Sequence, residues 1–152
     1  EFLKISENKN LKIPITDANM TRFWFSIEDG VKFVLSCLDK MIGGEIFIPK
    51  MPSMKLTDVA EAIAPLNEIK IIGIRPGEKL HEIMITKDDS RNTYELPDRY
   101  IVLPSINFGQ SYPQFKNLNT VMKNFEYSSD QNINWLKKEE LLHIIKETSL
   151  TN

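Results

Sequence analysis

At 152 residues, with 41% hydrophobic and 26% charged side chains, the chain has the length and make-up of one globular domain with a sizeable core. A formal net charge of −2 excludes a broad basic field for nucleic acid, so any anion site must be local and built from a few positioned groups. Its single cysteine, Cys37, excludes an intrachain disulfide, and Cys/His zinc clusters are equally absent. No apolar run approaches membrane-spanning length and the opening EFLKISENKN lacks a signal peptide's apolar segment, so the expectation is a cytoplasmic protein without membrane contact.

Glu1 opens directly into what reads as a helix tail, without an initiator methionine, and the expectation is a fragment of a longer protein. LKIPIT is a short extended piece held open by Pro14, and MTRFWF is aromatic-rich and extended. Ser26, with Asp29 three residues on, has the spacing of a helix N-cap. Ile27, Val31, Val34, Leu35, Leu38 and Met41 follow at helical spacing, and Gly43-Gly44 ends that helix. EIFIP is a short strand. Ser53 or Thr57 is expected to cap a second helix, which Pro65 ends, and IKIIGI reads as a continuously apolar strand buried on both faces. The alternation from Ser26 to Ile74 points to parallel α/β layering. After Arg75-Pro76-Gly77-Glu78-Lys79 a short helix is expected to about Met84. NTYEL and RYIVLP then form a hairpin turning at Pro97-Asp98. Residues 105–135 read as mostly loop, and LKKEELLHIIKETSL as a closing amphipathic helix.

No GxGxxG or GxxxxGK[ST] can be drawn through the six glycines, so the chain carries neither a dinucleotide fingerprint nor a phosphate loop. Tyr112 and Lys116 match YxxxK, the base and its pKa-lowering partner in short-chain dehydrogenases. That pair needs a stable helix, and Gly109, Ser111, Pro113 and Asn117 are poor helix company. His81 and His143 read as surface or satisfied histidines and Cys37 as a packing thiol; no catalytic residue and no metal ligand set is assigned.

Two arginines stand at the ends of apolar elements. Arg22 precedes a capped helix, and Arg75 leaves the strand IKIIGI, where ligands of parallel α/β sheets gather. A guanidinium held by Pro76 and Gly77 presents a planar fork that matches phosphate oxygens, and two such forks suit a diphosphate. Ordinary ion pairs are the alternative: Arg75 with Glu78 or Glu82, and Arg22 with Glu28 or Asp29. Glu78 suits sugar hydroxyls as a carboxylate, or the first turn of a helix.

LKIPITDANMTRFWFSIEDGVKFVL resembles the segment of extended short-chain dehydrogenase/reductases that covers a sugar-nucleotide. GGEIFIPKMPSMKLTDVAEAIAP, IKIIGIRPGEKLHEIMI and the tail FEYSSDQNINWL resemble the inverting UDP-N-acetylglucosamine 4,6-dehydratases, which open pseudaminic acid synthesis, and their relatives in capsule and O-antigen pathways. The resemblance covers nearly the whole chain and is weakest from Ser105 to Lys123. It implies an α/β fold: the C-terminal substrate-binding part of an extended short-chain dehydrogenase/reductase, lacking most of the Rossmann sheet, with residues 1–152 as a single substrate-binding domain.

By the same resemblance Arg22 and Arg75 bind the UDP pyrophosphate, Glu78 lies beside them, and Lys12 and Pro14 stand where the backbone meets uracil. The glycine-rich turn, the catalytic Asp-Lys pair and the YxxxK helix belong upstream. NADP would therefore be bound by an N-terminal Rossmann domain that this chain lacks. The implied partners are UDP-N-acetylglucosamine or a related UDP-sugar, that Rossmann domain, and further copies in a homo-oligomer. The chain alone is expected to be inactive and to expose an apolar face. The alternative is a stand-alone nucleotide-sugar-binding or oligomerisation module without catalysis.

Overall fold

The computed structural model describes residues 6–106, 109, 111–115 and 117–150, the last four of these by backbone alone. In chain order the first elements are β1 (Ile13–Ile15), β2 (Thr21–Phe23), α1 (Ile27–Leu38), β3 (Ile46–Pro49), β4 (Ser53–Lys55), α2 (Leu56–Ile63) and β5 (Ile69–Ile71). There follow β6 (Ile83–Ile85), β7 (Thr93–Glu95), β8 (Arg99–Val102), β9 (Asn119–Thr120), β10 (Tyr127–Ser128) and α3 (Lys138–Leu150). Single 3-10 turns lie at Asp89–Asn92 and Pro113–Phe115, and the described residues between 105 and 135 hold only the second of these and two two-residue strands, as their composition implies. The chain divides into two compact units: residues up to Trp24 with Pro52–Glu82 and Ser129 onward, and Phe25–Met51 with Ile83–Ser128.

In the first unit, β1 runs parallel to β5, Ile13 opposite Ile69 and Ile15 opposite Ile71. Antiparallel β2 and β4 pair Arg22 with Met54. One apolar cluster joins Ile13 and Ile15 to Ala60 and Ala64 of α2 and its C-cap. A second joins Met54 and Val59 to Leu141 of α3, with Trp24, Leu136 and Ile145 packed around it. The closing helix is thus amphipathic as expected, with Leu141 wholly buried. Neither expected cap serves α2. Lys55 holds the N-cap position without a side-chain bond. The reason is long-range pairing: the Ser53 backbone bonds Asn134 and Leu136, and its hydroxyl accepts from Asn132 Nδ2 at 2.9 Å. Strand β4 therefore runs on to Lys55, and Thr57 falls inside the first turn.

The second unit is built on an antiparallel sheet in the order β3-β8-β7-β9. The hairpin forms as its sequence implies, with Leu96 N–H donating to Arg99 O at 2.9 Å around Pro97-Asp98. Tyr100 packs against Phe125 and Tyr127, and the Tyr127 hydroxyl bonds both backbone groups of Met51. Ser26 caps α1: its Oγ accepts from Asp29 N–H at 3.0 Å and donates to the Asp29 carboxylate at 2.6 Å. The buried Arg99 faces this helix. Its guanidinium lies 4.7 Å from the Phe33 ring centroid and donates to Ser36 Oγ at 2.7 Å and Cys37 Sγ at 3.2 Å. Arg99 also pairs with Asp98 at 2.6 Å, and that bond holds the Asp98 carboxyl below the ordinary carboxylate range.

Three expectations change here. The helix-strand alternation does not build one parallel layer, because β3 pairs antiparallel with β8 whereas β5 pairs with β1. IKIIGI is not buried on both faces: Ile71, Ile72 and Ile74 are exposed, and Gly73, at φ +87°, ends the strand. The helix expected after Lys79 is absent; that segment is a bend running into β6, for a reason that lies in the site. The fold class itself holds, a mixed α/β chain with small sheets.

Candidate functional site

Arg75, Pro76, Gly77 and Glu78 form a tight turn, closed by Glu78 N–H donating to Arg75 O at 3.0 Å. Proline at the second position and a glycine at φ +80° at the third are what a type II turn requires. The Glu78 carboxylate accepts from the Arg75 backbone N–H at 3.1 Å and from Thr16 Oγ at 3.4 Å. Thr16 follows β1 directly, so the turn sits at the carboxyl ends of the parallel β1–β5 pair. The Arg75 N–H and carbonyl, the Glu78 N–H and the Glu78 carboxylate are thus all used in holding the turn. The Arg75 side chain is exposed, and its guanidinium has no hydrogen bond or ion pair among the described residues. Its alternative role in an ion pair with Glu78 or Glu82 is therefore not seen.

Arg22 is used differently. From β2 its Nη1 donates to Thr21 O at 2.7 Å and Leu80 O at 3.1 Å, and its Nη2 to Lys79 O at 2.9 Å and Met20 Sδ at 3.1 Å. Its terminal N–H groups are thus occupied, and of these two arginines it is Arg75 whose fork is open among the described residues. Nor does Arg22 take the ion pairs its neighbours offered, since Glu28 pairs with Lys32 and Asp29 with Ser26. The Glu82 carboxylate accepts from Phe23 N–H at 2.8 Å, with Arg22 Nε 3.9 Å away. Thr21 Oγ bonds His81 Nδ1 at 2.8 Å and Ser129 Oγ at 2.6 Å, and Ser129 Oγ accepts from Glu82 N–H at 2.9 Å. These partners claim the carbonyls and N–H groups that a helix after Lys79 would need, which is why no helix forms there.

Lys12 and Pro14 lie elsewhere on the same ladder. Lys12 precedes β1 and pairs with Glu68 at 2.7 Å, both side chains being exposed. Pro14 is opposite Lys70 in mid-strand, roughly 7 Å along the strand from Thr16 at ~3.3 Å per residue. The fold thus gathers Arg22, Arg75 and Glu78 at one end and sets Lys12 at the other. Thr16, Met20 and Glu82 were not singled out from the sequence. Their only signal was position, after a strand or within a charged turn; Thr16 and Glu82 meet Glu78 and Phe23 some 60 positions away, whereas the Met20 sulfur accepts from Thr16 and Arg22 close by in the chain.

Tyr112 donates to Gly43 O at 2.7 Å and stands beside a single 3-10 turn; Lys116 lies outside the described residues. His81 is satisfied by Thr21, and Cys37 is partly buried against Arg99. Among the described residues no three His, Cys, Asp or Glu side chains converge as a metal site, and no helix is long and apolar enough to cross a membrane.

Residues 2–104 match the family described as polysaccharide biosynthesis protein. The chain belongs to that family. The chain is 53% identical to the UDP-N-acetylglucosamine 4,6-dehydratase (inverting) of Campylobacter jejuni serotype O:2, over 97% of this chain and 46% of that one. The enzyme of the same name from serotype O:23/36 is 52% identical over the same shares. The crystal structure of Pen from Bacillus thuringiensis superposes with a TM-score of 0.77 at 34% identity, over 98% of this chain and 45% of that one. The chain spans about half the length of the relatives it matches. Its fold is therefore that of part of an extended short-chain dehydrogenase/reductase.

Proposed function

We propose that this polysaccharide biosynthesis protein is the UDP-sugar-binding portion of a UDP-N-acetylglucosamine 4,6-dehydratase, and that Arg75 grips the pyrophosphate. The observation that carries this reading is the unpaired guanidinium of Arg75 on a turn closed by the Glu78 N–H bond to Arg75 O and braced by the Glu78 carboxylate on the Arg75 N–H. A preorganised fork at the carboxyl end of a strand pair costs little ordering when an anion arrives, and each charge-assisted hydrogen bond contributes about 1.5–3 kcal/mol. Arg22 adds positive charge behind the turn and holds its far side in place. Glu78 faces the sugar-phosphate from the same turn, and the Lys12–Pro14 stretch runs alongside toward the base. The names of the Campylobacter relatives supply the substrate class.

On this reading the reaction is oxidation at C4 of the hexose, loss of water across C5–C6, and return of hydride to C6 with inversion at C5. The residues of this chain do not fit NADP, since no dinucleotide fingerprint can be drawn through its six glycines, and no step is assigned to them beyond holding the substrate. The cofactor and the proton-transferring groups belong to the half of the fold outside the match. The reading places the protein in the cytoplasm, in pseudaminic acid synthesis or a related surface-polysaccharide pathway. Calorimetric titration of the 152-residue chain tests the binding claim: UDP binding well above uridine supports it, and equal binding of the two, or none, contradicts it.

A further inference from the structure

Asp17 to Met20 form a tight turn after β1, closed by Met20 N–H donating to Asp17 O at 3.3 Å, with Asn19 N–H held on the Asp17 carboxylate at 2.7 Å. The turn brings Met20 back onto Thr16. Met20 is wholly buried and Thr16 is 8% exposed. Methionine ordinarily fills a core as a flexible apolar side chain. Here its sulfur also accepts from two donors, Thr16 Oγ at 3.2 Å and Arg22 Nη2 at 3.1 Å. Thr16 has the converse arrangement. Its hydroxyl carries one proton and faces two acceptors, Met20 Sδ at 3.2 Å and Glu78 Oε1 at 3.4 Å. It cannot serve both at full strength. An O–H···O bond is normally made at about 2.5–3.0 Å, so 3.4 Å leaves Glu78 Oε1 loosely held. Sulfur is the larger atom, and 3.2 Å is a close contact for it. The proton therefore lies mainly on Met20. Glu78 is fixed through Oε2, which accepts from the Arg75 N–H at 3.1 Å, and stays open through Oε1.

We infer that Met20 is a positioning residue for the nucleotide-sugar site: its sulfur draws the Thr16 proton away from Glu78, so that Oε1 stays free to accept from a donor on the bound ligand. The inference rests on the proposed reading of Glu78 as facing the sugar-phosphate, and adds the pair of residues that sets its state. Without the sulfur, Thr16 would turn its proton to Glu78, because a buried hydroxyl left unpaired is costly. It would then close Oε1 and compete with the ligand.

The test is a double-mutant cycle on the 152-residue chain, read by calorimetric titration with UDP. Met20→Leu keeps the volume and removes the acceptor. It should raise the Kd for UDP about three- to ten-fold, the worth of one net hydrogen bond. In a Thr16→Val background the same substitution should change the Kd by less than about two-fold, because no proton remains to be redirected. In Thr16→Ser, which keeps the hydroxyl, the full loss should return. A Met20 that only packs, or that acts only on Arg22, would give the same loss in all three backgrounds, and that result would overturn the inference. Hydrogen exchange at the Arg75 amide in the unliganded chain is a second readout. Met20→Leu should slow it, since Thr16 then pins the carboxylate that holds this N–H, and Thr16→Val should cancel the slowing. Unchanged exchange in Met20→Leu would likewise overturn the inference. Circular dichroism checks that each variant folds. Should Met20→Leu unfold the chain, norleucine at this position, which exchanges only the sulfur for a methylene, carries the same cycle. A parent chain that fails to bind UDP, with the Arg75 amide responding as expected, would count against the functional reading alone.

Discussion

The guanidinium of Arg22 donates to the main-chain oxygens of Lys79 and Leu80, at 2.9 and 3.1 Å, and so ties strand β2 to the segment that leaves the Arg75–Glu78 turn. One arginine is consumed in holding the loop on which the other is displayed. Removing the first should therefore loosen the second without touching it. Arg22→Met is expected to destabilise the chain by about 1–3 kcal/mol, the cost of leaving partly buried carbonyls without donors. It should also raise hydrogen exchange at residues 79–82 more than in the β7–β8 hairpin. Arg22→Lys should recover only part of this, because one ammonium cannot serve both carbonyls in the planar arrangement of the fork. Uniform exchange across the chain would show that Arg22 does not hold the loop.

Gly77 gives a cleaner probe of the turn. At φ +80° a side chain is strained, yet a Cβ there would meet nothing within 4 Å. Gly77→Ala should thus cost about 1–2 kcal/mol through backbone conformation alone. Chemical denaturation measures that cost, and the same variant should lose UDP affinity because its turn no longer presents Arg75. Full UDP affinity in a destabilised Gly77→Ala would detach the turn from the site.

Asp98 sets a pH dependence. Its folded carboxyl titrates below the ordinary value because Arg99 hydrogen-bonds the charged form. The unfolded chain then binds more protons than the folded one, so stability rises with pH in this range. The contribution is present above the unfolded value of about 4 and is lost as pH falls through the lower, folded one. Denaturation midpoints measured from pH 6 down to pH 2 should therefore drop less steeply in Asp98→Asn than in the parent. Parallel curves would mean that Asp98 contributes nothing to the acid limb.

Catalysis gives a negative expectation with a definite readout. The 152-residue chain, incubated with NADP and UDP-N-acetylglucosamine, should yield no 4-keto product by mass spectrometry. Measurable product would return Tyr112 to consideration and contradict the assignment of chemistry to the other half of the fold.

What could be read in the sequence was local chemistry. The Ser26 cap, the Pro97-Asp98 hairpin and the Pro76-Gly77 turn each depend on residues within four positions, and each stands as read. The segment after Lys79 misled because its helical pattern is real but its backbone groups are claimed by Thr21 and Arg22 from some 60 positions away and by Ser129 from 47. Periodicity likewise located the apolar stripe of α1 and could not say which way it faces; Arg99 decides that. Position also exposed both arginines, but only three-dimensional bookkeeping of N–H groups separates the one that is occupied from the one that is open.

The central claim is that Arg75 waits for a diphosphate, and calorimetric titration of UDP and uridine into the parent, Arg75→Ala and Arg75→Lys tests it most directly. The account predicts that Arg75→Ala weakens UDP binding by about 1.5–3 kcal/mol, roughly ten- to a hundred-fold, with uridine unchanged. Arg75→Lys should regain only part of the loss, for want of the bidentate fork. Combined with Arg22→Met, which loosens the same loop, the Arg75→Ala loss should depart from additivity by at least ~0.5 kcal/mol. Arg75→Ala that binds UDP as tightly as the parent, or that weakens UDP and uridine alike, would contradict it.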